Sequence, residues 1–327
     1  MARPIRGSFP RCGKSPGGRQ WGCVTQLALI QQYQKGELVH TATLIEGDCL
    51  HVLPHLAADS VDLILSDLPY GTTQNNWDSV IPLNELWGHY RRVLRRNGVV
   101  ILTGHGLFTA QLILSNPKWF KYKITWIKSK STNFLNAKKQ PLRKHEDICV
   151  FYQQRPYYEP QMSTGKAYDK GYRKSQHTGS YGEFDSVRVI SEGARYPTDV
   201  VYFPTAESEG PVSHPTQKPV ALARYLIRTY CPPGGTVLDS AFGSGSFLVA
   251  AALEGRSSVG IEINNNVKLF KDHRRSVDLI ELAEWRLKSQ ASGVPVQVTR
   301  AAQTTTNSVK SSKSRTQTAP LACGLSR

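Results

Sequence analysis

The sequence predicts an α/β fold in which a mostly parallel sheet carries helices on both faces. Two observations support this prediction. Apolar runs of strand length alternate with helical patterns between about residues 39 and 288, and one weakly periodic segment separates two regular stretches. Residues 1–38 and 289–327 are instead basic and rich in Gly and Pro or in Ser and Thr, as disordered segments are. We therefore expect one domain at 39–288 between two disordered basic tails.

Strands and helices are both predicted before the irregular segment. The strands are the apolar runs "TATLIEGD", "VDLILSD", "GVVILTG", "YKITWIKS" and "HEDICVFYQ". The helices are a short one from about Leu50 to Ala57, "LNELWGHYRRVLRRNG" with its C-cap at Gly98, and "LFTAQLILSN". Strands joined through helices in this way favour parallel pairing.

Regular structure returns after about residue 213, beyond a Tyr-, Gly- and Ser-rich stretch. The pattern predicts a helix at "KPVALARYLIRTY", a strand at "GTVLD", a helix at "FLVAAALEG" and a strand at "SSVGIEI". A Gly-rich loop, "SAFGSGS", joins the first of these strands to the second helix. The end of the domain therefore repeats the strand–helix–strand order of its beginning.

Positive charge dominates the chain, but most of it lies in the tails. The formal net charge is +16, and thirteen Lys and Arg residues occur in 1–36 and 285–327, which hold no acid. A better indication of a binding surface is the acid-free basic run from Lys118 to Lys144 inside the domain. A solvated face usually mixes both signs, so this run favours a surface that meets phosphates.

Cysteine usage and hydropathy limit the class of protein further. The six cysteines are scattered without any C-x-x-C pair, which argues against a disulfide framework and a zinc site and fits a reducing cytoplasm. No apolar run reaches the length of a membrane span. We expect no metal and no membrane association.

The segment "TVLDSAFGSGSFLVAAALEGRSSVGIEIN" predicts a nucleotide-binding site. A strand ends in Asp239, the turn holds Gly243 and Gly245, and Glu262 ends the next strand 19 residues after Gly243. Glycines let the backbone approach a ligand closely, and an acid in the second position can accept hydrogen bonds from ribose hydroxyls.

The same segment favours S-adenosylmethionine over a dinucleotide. Dinucleotide folds use G-x-G-x-x-G, but Leu248 stands where the third glycine is expected. Asp239 would repel a pyrophosphate, whereas S-adenosylmethionine carries an amino group and a sulfonium and no phosphate. A dinucleotide, and with it an oxidoreductase function, is the weaker alternative.

The turn "SDLPYG" holds residues suited to methyl transfer onto a base. The lone pair of an exocyclic amine is delocalised into the ring, so the amine must be held by acceptors that direct this lone pair at the methyl group. Asp67 and the carbonyl of Leu68 can each accept one N–H, and Tyr70 can stack on an extruded base. Pro69 biases Leu68 toward an extended conformation. Catalysis would then rest on positioning and electrostatics.

In these motifs and their order, the sequence resembles the amino-methyltransferases of DNA. The order, with the catalytic motif first and the cofactor motif near the C-terminus, is similar to the permuted beta class. The resemblance covers roughly residues 43–285. It is carried by "GDCLHVLPHLAADSVDLILSDLPYGTT", "RRNGVVILTG", "FLNAKKQPLRKHEDICVFY", "HPTQKPVALARYLI" and "VLDSAFGSGSFLVAAALEGRSSVGIEI".

The resemblance implies a Rossmann-like S-adenosylmethionine-dependent methyltransferase fold and assigns roles to residues. Asp239, Gly243 and Gly245 would contact the methionine end of the cofactor, with Phe242 in the same motif, and Glu262 would contact its ribose. Asp48 would lie near the adenine unless it is only a helix N-cap. The residues expected to close over the cofactor are Thr216, Gln217 and Lys218.

Double-stranded DNA is the partner that the resemblance implies, in the cytoplasm of a bacterial or phage-infected cell. The segment at about 128–213 resembles the insertion that recognises the target sequence. The basic residues expected to bind DNA are Lys128, Lys130, Lys138, Lys139, Arg143 and Lys144. His145, Glu146 and Asp147 are interpreted as structural. The sequence decides neither a homodimer nor a restriction partner.

The expected reaction is methylation of adenine N6, because an acid at the first motif position is usual in the adenine enzymes. Cytosine-N4 methylation and a non-catalytic DNA-binding role are the alternatives. Two positions depart from the family pattern. Leu68 replaces a proline, which removes stiffness from the turn. The family's phenylalanine usually stands at the position of Ala241, and in this chain the aromatic residue is Phe242, one position later.

Overall fold

The computed structural model describes residues 32–34, 37–71, 79–178, 182–214, 216–264, 267–268 and 276–300. Nearly all of the predicted N-terminal tail, and the C-terminal tail from residue 301, therefore lie outside the described residues. Within the described part of the chain, no helix is both long enough and apolar enough to cross a bilayer.

Nine strands of the described chain form one sheet. In chain order they are β3 Ala42–Glu46, β4 Val61–Ser66, β5 Leu94–Gly104, β6 Phe120–Thr132, β7 Arg143–Phe151, β14 Val200–Phe203, β15 Thr236–Asp239, β16 Ser257–Glu262 and β19 Val296–Arg300. Their spatial order is β14-β6-β7-β5-β4-β15-β16-β3-β19. Neighbours pair in parallel, except that β7 is antiparallel to both β5 and β6.

The other strands form short antiparallel ribbons. They are β1 Gln32–Gln34 with β2 Glu37–Val39, β8 Ser163–Thr164 with β13 Ala194–Arg195, β9 Tyr168–Arg173 with β12 Val187–Ser191, β10 Gln176–Thr178 with β11 Gly182–Phe184, and β17 Val267–Lys268 with β18 Ser276–Val277. Three of the five ribbons fall within the stretch that the sequence leaves irregular.

Helices cover both faces of the sheet, as predicted. They are α1 Cys49–Val52, α2 Leu83–Val93, α3 Leu107–Ser115, α4 Val220–Tyr230, α5 Ser246–Leu253 and α6 Leu279–Gln290. Because strand side chains alternate in direction, Ile64 of β4 packs into the core under α2 and α3. Its neighbours Leu63 and Leu65 pack into the core under α4 and α5. The strand is therefore buried on both faces.

The helix predicted to end with a C-cap at Gly98 ends earlier, so that prediction is wrong. α2 stops at Val93, and Leu94 is already extended, with φ −75° and ψ 134°. Leu94 pairs with Val61 of β4 before the register shifts. A Cβ on Gly98 would lie 2.7 Å from the Leu94 side chain, so the bulge folds closely on itself there. Strand pairing outweighs the helical periodicity of this segment.

The sheet also extends beyond two predicted boundaries. The insertion predicted at 128–213 begins inside β6 and includes β7, so the segment that leaves the sheet is 152–199. The disordered tail predicted from residue 289 begins with the last turn of α6 and includes β19. β19 adds to the edge of the sheet beside β3, and Arg300 reaches Asp278 at 2.8 Å. Backbone pairing with an existing edge orders a segment whose composition alone is polar.

Candidate active site

A cleft of about 510 Å³ opens at the carboxyl edge of the sheet. The residues that follow β3, β4, β5, β15 and β16 line it, among them Asp48, Asp67, His105, Asp239 and Glu262. The start of β7 reaches the same edge because that strand runs in the opposite direction. Ligands of open α/β sheets bind at this edge, and most of the predicted site residues meet here.

Asp67 lies at the floor of the cleft and accepts hydrogen bonds on both carboxylate oxygens. Its Oδ1 accepts from the hydroxyl of Tyr70 at 2.9 Å and from the hydroxyl of Thr103 at the end of β5. Its Oδ2 lies 2.5 Å from the ammonium nitrogen of Lys218. The carboxylate is therefore fixed from three sides by donors on three separate segments.

Lys218 is part of a buried chain of alternating charges. Its Nζ also lies 3.4 Å from Oε2 of Glu146, and Oε1 of Glu146 lies 3.0 Å from Nζ of Lys128. The side chains of Lys218 and Lys128 are only 10 % and 6 % exposed. Two ammonium groups and two carboxylates thus balance one another, which keeps the buried charges paired.

The pKa directions in this chain follow from its geometry. Burial opposes the charge on Lys218, but Asp67 and Glu146 raise its pKa well above the usual value. Burial likewise opposes the charge on Glu146, but Lys218 and Lys128 lower its pKa. Burial, reinforced by Asp67, raises the pKa of Tyr70, so the phenol stays protonated and donates a hydrogen bond to the Asp67 carboxylate. These directions keep Glu146 and Lys218 charged at neutral pH.

The turn that carries Asp67 is held by packing of two side chains that follow it. Leu68 is 2 % exposed and belongs to the core under α2 and α3. The ring of Tyr70 stacks on Phe108 of α3, with centroids 4.8 Å apart and 25° between planes. Pro69 and Tyr70 line the cleft. Apolar burial of Leu68 thus anchors the turn at the position where a proline is absent.

Asp239 ends β15 beside the turn and is buried. Burial raises its pKa to about 8, and the backbone N–H of Ala241, at 3.2 Å, only partly offsets this. The neighbouring Ser240 donates its N–H to the hydroxyl of Ser66 at 2.9 Å, which ties the ends of β15 and β4 together. A buried carboxyl group of this kind, whose ionisation is opposed mainly by burial, suits a cationic ligand.

Glu262 and Gly243 meet where the Gly-rich loop crosses the end of β16. Oε2 of Glu262 accepts the N–H of Gly243 at 2.8 Å, and Oε1 accepts the N–H of Asn264 at 3.2 Å. Gly243 has φ +51°, and a Cβ built on it would meet nothing within 4 Å, so its open side faces the cleft. Burial raises the pKa of Glu262.

Gly245 and Phe242 pack the Gly-rich loop closely against α6 and β16. Gly245 has φ +77°, and a Cβ there would lie 2.8 Å from the Cβ of Ala283 on α6. Gly245 is not among the cleft-lining residues of the described chain, which differs from its predicted contact with the cofactor. Phe242 is buried and packs so closely on Gly260 that a Cβ there would lie 2.6 Å from the ring. The ring also borders the cleft.

Asp48 and the described residues of the "HPTQKP" segment, except Pro219, line the cleft. Oδ1 of Asp48 accepts the N–H of Leu50 at 2.9 Å, so Asp48 is the N-cap of α1 as well as a lining residue. Thr216 donates its N–H to Nδ1 of His214 at 3.3 Å, and Gln217 lines the cleft next to it. Lys218, expected to close over the cofactor, pairs with the carboxylate of Asp67.

The basic residues predicted to bind DNA differ in their exposure to solvent. Lys128 is 5 % exposed overall and is held by Glu146, so it is an interior charge rather than part of the outer surface. Arg143 is half-buried and lines the cleft. The remaining four are exposed on β6, β7 and the loop between them: Lys130, Lys138, Lys139 and Lys144.

The sequence reasoning missed Glu146, Thr103 and His105. Glu146 was interpreted as structural, yet it lines the cleft between two lysines. Thr103 and His105 lie at the carboxyl end of β5, where the topology of a parallel sheet places functional residues. Thr103 and His105 lie at or just after the end of a predicted strand, and this position is the feature of the sequence that could have identified them as functional residues. Among the described residues, no group of three or more His, Cys, Asp or Glu could hold a metal ion.

Comparisons with known proteins identify the family of the chain. A family model described as DNA methylase matches residues 61–270, which is more than half of the chain. The chain is 28 % identical over 249 residues to the DNA adenine methyltransferase YhdJ of Escherichia coli K12, covering 68 % of this chain and 79 % of that protein.

Two solved structures share the fold. TTHA0409 from Thermus thermophilus aligns with a TM-score of 0.51 at 20 % identity, covering 80 % of this chain and 100 % of that one. M1.HpyAVI, solved as a complex with SAM, aligns with a TM-score of 0.50 at 17 % identity, covering 76 % of this chain and 99 % of that one. The predicted methyltransferase fold is confirmed.

Proposed function

The chain belongs to the DNA methylase family, and we propose that it transfers the methyl group of S-adenosylmethionine to the N6 amine of an adenine in DNA. The observation that carries this proposal is the position of Asp67. Its fixed carboxylate shares one cleft with the buried Asp239 and the open side of Gly243. An acceptor for a base amine and a site for a cationic nucleoside thus lie side by side.

The residues of the Gly-rich loop fit this cofactor. Asp239 would bind the amino group, because attraction to a cation would offset the burial that raises the pKa of this carboxyl group. Glu262 keeps acceptor capacity for ribose hydroxyls beyond its two backbone bonds. Gly243 leaves room where a side chain would intrude. When bound, the cofactor supplies an electrophilic methyl group on a sulfonium.

Asp67 would orient the nucleophilic nitrogen. An ionised carboxylate only accepts hydrogen bonds, so it can hold one N–H of the adenine amine while the Leu68 carbonyl holds the other. Lys218 and Thr103 keep the carboxylate still, and fixed acceptors cost no reorganisation during the reaction. With the base outside the helical stack, its amine nitrogen would bond to the methyl carbon as the carbon–sulfur bond breaks and the thioether leaves, and the methylated amine would then lose one proton.

Adenine is proposed over cytosine on two grounds. The first motif residue is an acid, Asp67, and the curated relative YhdJ, which the chain matches over 249 residues, is named an adenine methyltransferase. A non-catalytic role was considered because Leu68 replaces a proline. Burial of that leucine in the core supplies rigidity of another kind and favours an active turn.

The test is a product analysis. Purified protein, tritiated S-adenosylmethionine and unmethylated genomic DNA are incubated, and the DNA is digested to nucleosides for chromatography and mass spectrometry. We expect tritium in N6-methyladenine. Tritium only in N4-methylcytosine would overturn the adenine assignment, and cofactor binding without transfer to any DNA would favour the non-catalytic role.

A further inference from the structure

The loop between β6 and β7, residues 133–142, carries two exposed apolar side chains at its tip. Leu135 is 100 % exposed and Phe134 is 68 % exposed. Adjacent large apolar side chains in full contact with water are unfavourable unless something covers them, so such pairs mark interaction sites more often than isolated ones do. Within this loop the pair is surrounded by polar and basic residues.

The loop rises from the rim of the proposed catalytic cleft. Its two ends are joined by the pairing of Thr132 in β6 with Arg143 in β7, and both residues line the cleft. Further down the same two strands, Glu146 pairs with Lys128 and also contacts Lys218, which in turn pairs with Asp67. The exposed tip is therefore connected by a two-stranded ladder to the site that receives the base.

Internal hydrogen bonds give the loop a defined shape. The side-chain amide of Asn136 donates to Oδ1 of Asn133 at 2.8 Å, and Asn133 takes the left-handed conformation with φ 75°. The N–H of Ala137 donates to the carbonyl of Phe134 at 3.0 Å, and the N–H of Lys139 donates to that of Asn136 at 2.8 Å. The 3₁₀ turn Phe134–Asn136 thus presents the two apolar side chains outward from a fixed backbone.

The charge around the tip identifies the partner. Lys138 and Lys139 lie three and four residues after Leu135, Lys144 is exposed at the base of the loop, and no acid occurs between residues 129 and 145. Such a surface attracts the phosphates of a duplex. An apolar pair held between phosphate contacts would face the stacked bases, where proteins that distort DNA insert apolar side chains.

We propose that Leu135, supported by Phe134, inserts into the DNA helix and occupies the space that the target base leaves when it enters the cleft. This inference rests on the proposed function, because an extruded base is what creates the space. The insertion would offset part of the cost of unstacking and keep the base from returning. Both residues are positioning residues, since neither reaches the Asp67 carboxylate.

The test compares a Phe134→Ala, Leu135→Ala double variant with a Leu114→Ala control. Leu114 is 75 % exposed on α3 and is not among the described residues that line the cleft, so it matches Leu135 in type and exposure. The substrate is a duplex oligonucleotide around a position that sequencing shows the wild-type protein to methylate. The same strand alone serves as the second substrate.

We expect kcat/KM of the double variant to fall about tenfold or more on the duplex and to stay within about twofold on the single strand, where no base has to leave a stack. In the duplex with 2-aminopurine at the target position, the fluorescence increase on binding should be strong for wild type and Leu114→Ala and much weaker for the double variant. The 2-aminopurine readout reports base extrusion directly.

Equal losses on both substrates, or an unchanged fluorescence increase, would overturn the proposed insertion of Leu135. A double variant that loses self-association and keeps duplex activity would overturn it too, and would assign the pair to a contact with a second copy of the chain. Failure of the proposed function is distinguishable, because sequencing would then find no methylated adenine around which to build the duplex. Melting temperatures of all variants show whether the fold is intact.

Discussion

Asp67 and Lys218 lie 151 residues apart in the chain and form a contact of 2.5 Å between Oδ2 and Nζ at the floor of the cleft. The lysine lies two residues before the start of α4, whereas the aspartate follows a central strand. Glu146 and Lys128 complete the charge chain from a third direction. The carboxylate is thus positioned before any substrate arrives, and the predictions below test parts of this arrangement.

Replacing Asp67 should separate chemistry from cofactor binding. In Asp67→Asn the side chain keeps its size but loses its charge and one of two acceptors, so we expect methyl transfer to fall by about 10²–10³-fold or more. Affinity for S-adenosylmethionine, measured by calorimetry, should change only a few fold because the proposed cofactor contacts lie on other strands. Joint loss of both activities would indicate misfolding and not a catalytic role.

Glu146→Gln should destabilise the protein even though the side chain keeps its shape. The change leaves the buried ammonium groups of Lys128 and Lys218 with one carboxylate, Asp67, and breaking a buried ion pair costs about 3–5 kcal/mol. Urea unfolding measures this loss. Glu207→Gln is the matched control, because Glu207 is 51 % exposed and lies 3.9 Å from Lys130.

For Glu207→Gln we expect a change below about 1 kcal/mol, as for other exposed pairs. Glu146→Gln should also lower the rate of methyl transfer, since Lys218 then loses one of the two carboxylates that fix its position beside Asp67. If both glutamine variants unfold at the same urea concentration as wild type, the buried charge chain does not stabilise the fold.

Cofactor binding should release a proton at pH 6–7, and Asp239 should be its source. Burial raises the pKa of Asp239 to about 8, so the free protein holds the neutral acid, and a bound ammonium group favours the carboxylate. We expect about one proton released per site, measured by calorimetry in buffers of different ionisation enthalpy. The release should disappear in Asp239→Asn.

The same group sets a pH dependence of stability for the protein without cofactor. The folded-state pKa of Asp239 lies above its unfolded value of 3.8, so between these values the folded state binds the extra proton. Its stability contribution is therefore greatest at low pH and is lost as the pH rises toward 8. Asp239→Asn should flatten this part of the curve of unfolding free energy against pH, and an unchanged slope would contradict the assignment.

Gly243→Ala and Gly245→Ala should have different effects although both glycines have positive φ. The shared backbone strain costs about 1–2 kcal/mol in each. The new methyl group at Gly243 enters open space in the cleft, so this variant should mainly weaken cofactor binding. At Gly245 it would meet Ala283 at 2.8 Å, so that variant should mainly lower the melting temperature. Thermal melts and calorimetric titrations on both variants distinguish the two effects.

Much of the site was readable from short stretches of sequence. The acids Asp67, Asp239 and Glu262 each follow an apolar run, and local periodicity identifies such runs as strands. Parallel strands place their carboxyl ends at one edge, so the convergence of these acids in one cleft was predictable. The glycines indicate a left-handed turn because other residues rarely adopt positive φ.

Other features depended on contacts distant in sequence. The helical pattern that includes Leu94 gave way to a strand because β4 offered a partner, and β19 formed because β3 presented a free edge. Lys128 carried the same charge as its exposed neighbours, and only the folded chain placed it in the interior against Glu146. No local pattern distinguishes these cases.

The sequence by itself determined the order of strands and helices from β3 to β7 and from α4 to β16, the acidic turn and the Gly-rich loop, because these depend on the chemistry of neighbouring residues. Tertiary structure decided which charges are buried together. The free energy of an ion pair depends on distance and on exclusion of water, and both are fixed only when segments as far apart as Asp67 and Lys218 pack against each other.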